Sequence, residues 1–176
     1  DNDGDADLFV SRDAWEGMAP NSLYCNTGGI FKDVALQVGM DKPRASFTGA
    51  WGDYDNDGWL DLYVSNGVIG NGEANGLWRN LGSTQFTDLA GMTGVADTSR
   101  TIGSAWGDYD NDGDLDLYAV NIGQANRLYR NDIGFFTDRA LTAGVTFPVE
   151  GGYVAFFFDY DNDGWLDIFA STLSAF

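Results

Sequence analysis

Histidine is absent from the 176 residues, and cysteine occurs once, at Cys25. Without histidine the chain lacks the commonest general base and the commonest transition-metal ligand. A single cysteine excludes an internal disulfide. Basic residues are scarce: 9 Lys and Arg stand against 27 Asp and Glu, for a formal net charge of −18. So negative a chain is a poor partner for nucleic acid or an anionic membrane, both of which are polyanions. No stretch approaches the roughly 18 apolar residues of a membrane-spanning helix, so no span is expected. No leader peptide is visible either. Asp1 falls inside a motif, so the natural N-terminus is expected to lie upstream.

What the chain does have is glycine (24 residues), aromatic rings (15%) and a hydrophobic fraction of 44%. That composition is too aromatic for disorder and suits short strands joined by tight turns. The acidic residues are concentrated. Seventeen of the 27 are aspartates in four clusters, and close-set carboxylates repel unless something positive sits among them.

The clusters belong to an internal repeat. Asp-Tyr-Asp-Asn-Asp-Gly occurs at 53–58, 108–113 and 159–164, and a truncated Asp-Asn-Asp-Gly opens the chain, giving spacings of 54, 55 and 51. After each cluster comes an apolar run such as Leu60-Asp61-Leu62-Tyr63-Val64. In the three units that continue there follow a loop, a segment such as Asn126-Arg127-Leu128-Tyr129-Arg130-Asn131, then Phe31-Lys32-Asp33, Phe86-Thr87-Asp88 or Phe136-Thr137-Asp138, and a closing glycine. Strand signals separated by Gly, Asn and Asp predict four strands per unit, at 47–52, 60–65, 76–80 and 85–90 in the second. No segment carries a sustained helical period, so little helix is expected.

Four strands in about 40–50 residues is the size of one β-propeller blade. A solenoid would favour shorter units with one or two strands each. The predicted fold is therefore all-β: blades of four antiparallel strands in one repeat domain, 1–176. It divides into a partial blade at 1–46, blades at 47–101 and 102–152, and a partial blade at 153–176. Three full repeats do not close a propeller of about 4–8 blades, so an excerpt of a larger, six- to eight-bladed propeller or array is expected.

Each complete cluster reads Asp-x-Asp-x-Asp-Gly-x-x-Asp. Carboxylates at positions 1, 3 and 5 can converge, glycine at position 6 permits the sharp turn, a backbone carbonyl at position 7 can add an oxygen, and position 9 can close the cage. The candidate metal ligands are Asp53, Asp55, Asp57, Trp59 and Asp61; Asp108, Asp110, Asp112, Asp114 and Asp116; and Asp159, Asp161, Asp163, Trp165 and Asp167. The truncated first loop contributes Asp1, Asp3, Asp5 and Asp7 but lacks its position-1 Asp. An all-oxygen, carboxylate-rich loop suits Ca²⁺. Magnesium keeps its waters, and zinc wants His or clustered Cys. About three complete calcium sites and one truncated site are expected. These are not EF-hands, because position 12 is Val64, Ala119 or Ala170 rather than Glu and lies in a predicted strand. Asp-Asn-Asp-Gly also makes turns without metal, but three copies in register favour the metal. The expected metal is structural, since each site is complete within one blade.

The stretch Gly49-Ala50-Trp51-Gly52-Asp53-Tyr54-Asp55-Asn56-Asp57-Gly58-Trp59-Leu60-Asp61-Leu62-Tyr63-Val64, with Leu128-Tyr129-Arg130-Asn131 and Phe136-Thr137-Asp138, resembles FG-GAP/VCBS-type calcium-binding repeats. It looks most like those of bacterial secreted proteins and the cartilage acidic protein group, and more distantly like integrin α-subunit propellers. The resemblance covers nearly the whole chain. It implies a propeller, commonly seven-bladed, with one Ca²⁺ per loop, an extracellular or cell-surface location and adhesive or ligand-binding roles. Phe156-Phe157-Phe158 departs from the Ala-Trp-Gly of the other units.

Function is expected on the loop face opposite the aspartates, where the connections at 11–21, 65–75 and 121–125 vary while the frame repeats. Trp15, Glu16, Met18, Arg44 and Arg100 would share that face, where a protein or glycan partner would bind. Trp51 and Trp106 hold equivalent positions and are expected in the core, with Trp59 and Trp165 more exposed. No catalytic residue is assigned. Identical Asp clusters in every blade are a poor basis for glycosidase chemistry, and no histidine is available for a covalent triad or to activate Cys25. Two other readings are a self-associating subunit of a surface layer, fibre or matrix, pairing through open strand edges, and a non-catalytic propeller attached to an enzyme.

Overall fold

A computed structural model describes residues 1–12, 19–67, 72–82, 85–147 and 152–171. Among the described residues the regular elements are thirteen strands and two one-turn helices. The first unit holds β1 (Leu8–Val10), β2 (Ser22–Thr27) and β3 (Ile30–Asp33). The second holds β4 (Ser46–Gly52), β5 (Asp61–Asn66), β6 (Gly76–Asn80) and β7 (Phe86–Asp88), followed by the one-turn helix α1 (Ala90–Thr93). The third repeats this as β8 (Arg100–Gly107), β9 (Asp116–Ile122), β10 (Arg127–Asp132), β11 (Phe135–Asp138) and α2 (Ala140–Ala143). The fourth consists of β12 (Ala155–Phe158) and β13 (Asp167–Ala170). Each unit is an antiparallel meander with strands paired in sequence order, and among the described residues the sheets do not close into a ring.

The core lies between the units, not inside them. The second strand of each unit alternates its side chains between two neighbours, as a two-residue period requires. Leu62 and Val64 face the first unit, packing with Leu23, Val38, Trp78 and Phe86. Tyr63 joins Leu77 and Val95 against Leu117, Ala119, Tyr129 and Phe136 of the third unit. Tyr118 and Val120 turn towards the fourth, where Phe157 and Ile168 complete the packing. With both faces covered, every residue of β5 is buried. A sheet sandwiched by its own repeats is the arrangement of propeller blades.

Trp51 and Trp106 pack into these inter-blade cores, as expected. The Trp106 indole N–H also donates to the Ala50 carbonyl of the preceding blade at 3.0 Å. That ring needs the glycine opposite it, because a Cβ on Gly52 would stand 2.8 Å from Trp106 Cδ1. Phe157 occupies the Trp106 register and packs over Gly107 in the same way. Phe158, in the glycine register, leaves its ring exposed, and Phe156 stacks on Phe169 at 4.8 Å. The atypical triplet therefore splits into one core residue and two surface rings.

Most bounds in the second unit fall within one residue of expectation, and one differs by more. The fourth strand of the second unit ends at Asp88 instead of running to 90, and a helical turn follows. The cause is the aspartate of Phe-Thr-Asp. Asp88 Oδ1 accepts the Ala90 N–H at 3.2 Å, Asp138 Oδ1 accepts that of Ala140 at 3.0 Å, and Asp33 Oδ1 accepts that of Ala35 at 3.0 Å. Such a side-chain bond two residues ahead bends the backbone out of the ladder. Gly94 and Gly144, both left-handed, then close the turns.

Candidate metal centre

Each aspartate cluster is the connection between the first and second strands of its blade. In the second blade Gly52 pairs with Asp61, so residues 53–60 form the whole loop. The backbone repeats from blade to blade: the Asn at position 4 has φ of 60°, 56°, 56° and 59° at Asn2, Asn56, Asn111 and Asn162. The Gly at position 6 has φ of 96°, 89°, 93° and 89° at Gly4, Gly58, Gly113 and Gly164. Two left-handed residues bracketing position 5 curl the chain so that positions 1, 3 and 5 lie on its concave side. Asn and Gly are the residues that accept this conformation at least cost.

Carboxylate oxygens converge accordingly. Asp53, Asp55 and Asp57 bring one oxygen each within 4.8 Å of one another, as do Asp108, Asp110 and Asp116, and Asp159, Asp161 and Asp167. In the first loop the group is Asp1, Asp7 and Cys25. Position 1 also holds the loop together: Asp53 accepts the N–H groups of Asp57 and Gly58 at 3.0 and 2.9 Å, and Asp108 and Asp159 do the same.

Position 9 has a second duty. Asp61 is fully buried, and its two oxygens accept the N–H of Asn80 at 2.7 Å and of Tyr54 at 3.3 Å. Asp116 does the same with Asn131 and Tyr109. Asp7 and Asp167 each accept one of the equivalent bonds. This carboxylate thus staples the loop entrance to the third strand. Burial pushes Asp61 and Asp116 up to about 7, and the nearby loop carboxylates add to the rise. Asp55 and Asp110 are raised by the same cause, burial first. One oxygen of each, Asp55 Oδ1 and Asp110 Oδ1, is buried without a hydrogen-bond partner. A buried acceptor left orphaned is costly, and a hard cation among oxygen donors would satisfy it.

Position 7 sends its side chain elsewhere. Asp5 Oδ2 accepts the Gly28 N–H at 2.6 Å and Asp114 Oδ2 that of Ile133 at 3.2 Å, while the Trp59 ring lies over Gly82. All three reach the turn between the third and fourth strands. The side chain of position 7 therefore supports the loop from outside, leaving the backbone carbonyl as its candidate ligand. Trp165 is 53% exposed.

One feature of the site was not seen in the sequence. Arg79, from the third strand, contacts Asp55 at 2.6 Å and Asp57 at 3.0 Å, and Arg130 lies 3.7 Å from Asp110. Cys25, in the same repeat position, sets its Sγ 3.1 Å from Asp1 Oδ2. A guanidinium already stands where positive charge is wanted; Leu-Trp-Arg-Asn and Leu-Tyr-Arg-Asn repeat the arginine, but not its nearness to the loop. Between the second and third blades Tyr54 packs on Trp106 and Phe136, while its carbonyl accepts Asn131 Nδ2 at 2.7 Å.

On the opposite face, Arg44 pairs with Asp88 at 2.9 Å and lies over the Trp78 ring, beside a recess of about 780 Å³ that also includes Lys42 and Glu73. Arg100 is exposed at the start of β8. Trp15, Glu16 and Met18 lie outside the described residues, as do 68–71 of the second variable loop. Among the described residues no helix is long and apolar enough to cross a membrane.

Comparison with known proteins agrees with this architecture. The family model for the FG-GAP-like repeat matches residues 1–64 and 108–170. Human cartilage acidic protein 1 is 32% identical over 180 residues, covering 94% of this chain and 26% of that protein. The mouse protein gives the same figures, and that of Xenopus tropicalis is 29% identical over 187 residues. The chain thus spans about a quarter of the length of these relatives.

Proposed function

Because the chain belongs to the FG-GAP-like repeat family, we propose that it is a calcium-stabilised, non-catalytic extracellular module. Its aspartate loops hold structural Ca²⁺, and its opposite loop face binds a protein or glycan partner. The observation that carries the calcium reading is the repeated convergence of three carboxylates with a buried, unpartnered oxygen, Asp55 Oδ1 or Asp110 Oδ1, in each complete blade. In the second loop Asp53, Asp55 and Asp57 would ligate the ion, with the Trp59 carbonyl and Asp61 closing the set. Asp108, Asp110, Asp112, Asp114 and Asp116 would do so in the third, and Asp159, Asp161, Asp163, Trp165 and Asp167 in the fourth. The bound ion would neutralise a loop that otherwise holds four or five carboxylates together.

An extracellular setting supports the reading, because free calcium there is high enough to fill sites of modest affinity. Similarity to cartilage acidic protein 1 points the same way. The recess beside Arg44 and Trp78 supports partner binding away from the metal loops. The test is a thermal melt in calcium and in chelator with a metal count per chain. About three bound ions and a large calcium-dependent rise in Tm are expected. No bound ion and no shift would reduce the aspartates to turn residues.

A further inference from the structure

The position-4 asparagines turn their side chains away from their own loops and towards the next blade. Asn2 Nδ2 donates to the Gly58 carbonyl at 2.9 Å, and Asn111 Nδ2 to the Gly164 carbonyl at 3.0 Å. Asn56 Nδ2 reaches the Gly113 carbonyl at 3.4 Å and Asp114 Oδ1 at 2.9 Å. The accepting carbonyl is always that of position 6. Its peptide carries the N–H of position 7, and that N–H donates to the position-5 carboxylate of its own loop. The bonds are Trp59 N to Asp57 Oδ1 at 2.9 Å, Asp114 N to Asp112 Oδ1 at 3.0 Å and Trp165 N to Asp163 Oδ1 at 2.9 Å.

The same path therefore recurs at three blade junctions: asparagine amide, peptide 6–7, position-5 carboxylate. The donor end stands between positions 3 and 5 of one loop, and the acceptor end holds position 5 of the next. Serial hydrogen bonds through one peptide polarise one another. The path holds the peptide that leads into position 7, the residue whose own carbonyl, one peptide further on, is the candidate ligand. The apolar packing of neighbouring blades supplies a rigid frame on which a shift at one end is felt at the other. Tyr54 reinforces the second junction with both its ring and its carbonyl.

The geometry points to Asn2, Asn56 and Asn111 as positioning residues that couple adjacent metal loops, so that filling one loop sets the next for its ion. This rests on the calcium reading and adds that the sites fill cooperatively. A purely local set of loops would fill independently, and a purely structural bond would lower the melting temperature of chelated and loaded chain alike.

The test is a calorimetric calcium titration of the unaltered chain and of the Asn56→Gly/Asn111→Gly double variant, with bound ions counted by native mass spectrometry. Glycine keeps the left-handed backbone and removes only the donor. Expected is a Hill coefficient above 1 for the unaltered chain. In the variant it falls to 1 with the ion count unchanged, and the midpoint rises about five-fold, the lower range of inter-site coupling. Should the glycine variant melt too early to titrate, Asn56→Asp/Asn111→Asp tolerates the same backbone, and its Hill coefficient is the readout. Ions bound with an equal Hill coefficient in variant and unaltered chain, or a coefficient of 1 in both, overturn the coupling and leave the calcium sites standing. A count of zero ions in the unaltered chain overturns the calcium assignment and the coupling with it.

Discussion

Replacing Asp112 by alanine separates a metal ligand from a turn former. In the third loop Asp112 Oδ1 accepts one exposed N–H bond, from Asp114 at 3.0 Å, and among the described residues no ion pair within 4 Å involves Asp112. In chelator the substitution removes that bond, worth about 1 kcal/mol, and relieves repulsion from Asp110 and Asp116. The two effects oppose, and the net change is expected within about 1 kcal/mol. In calcium the variant forfeits whatever binding free energy the loop contributes. At free calcium about 100-fold above Kd that contribution is about 2.7 kcal/mol per site. For a chain of this size, about 2–4 °C is lost per kcal/mol, so the loaded variant should melt about 5–11 °C below the unaltered protein. The chelated pair should differ by no more than about 4 °C. Differential scanning calorimetry in both conditions reads the comparison directly. Equal losses in calcium and in chelator would refute the reasoning, since they would make Asp112 a structural turn residue only.

Tyr54→Ala should be costly in either condition. The side chain is 3% exposed and fills the seat between the second and third blades, and emptying such a site costs about 3–5 kcal/mol. A denaturant midpoint unchanged by the substitution would show that this interface does not govern stability. Acid sensitivity tests Asp97. Burial raises its carboxyl, but hydrogen bonds from the Ser99 hydroxyl and N–H, with the Arg127 guanidinium, outweigh burial and hold it below 3.8. A depressed carboxyl contributes stability that is complete above its unfolded value and disappears as pH falls through the folded value. Asp97→Asn should therefore destabilise at neutral pH and converge on the unaltered protein as pH falls through the depressed folded value. A gap that persists unchanged in acid would assign the loss to something other than ionisation.

How much of this was legible beforehand depended on how local the cause was. The repeat, the four-strand unit and the candidate loop ligands are written in a few adjacent residues: an alternating run declares a strand, and Asn and Gly at positions 4 and 6 declare the curl. The end of the fourth strand at Asp88 was missed although its cause is equally local. The aspartate bonds two residues ahead, and strand propensity alone does not register that competition. Arg79 and Arg130 were missed for a different reason, since nothing in their own segments says that the third strand runs beneath the aspartate loop.

The sequence by itself determined the architecture, because each blade is specified by short-range pattern and the same pattern is written several times. It also determined which side chains could serve as ligands. The tertiary structure alone decided how blades meet: that the core lies between them, that Tyr54 of one blade seats against Trp106 and Phe136 of the next, and that position-4 asparagines reach across to their neighbours' loops. The Tyr54 and asparagine contacts join residues more than 50 positions apart, and only the packing of one sheet on another brings them together.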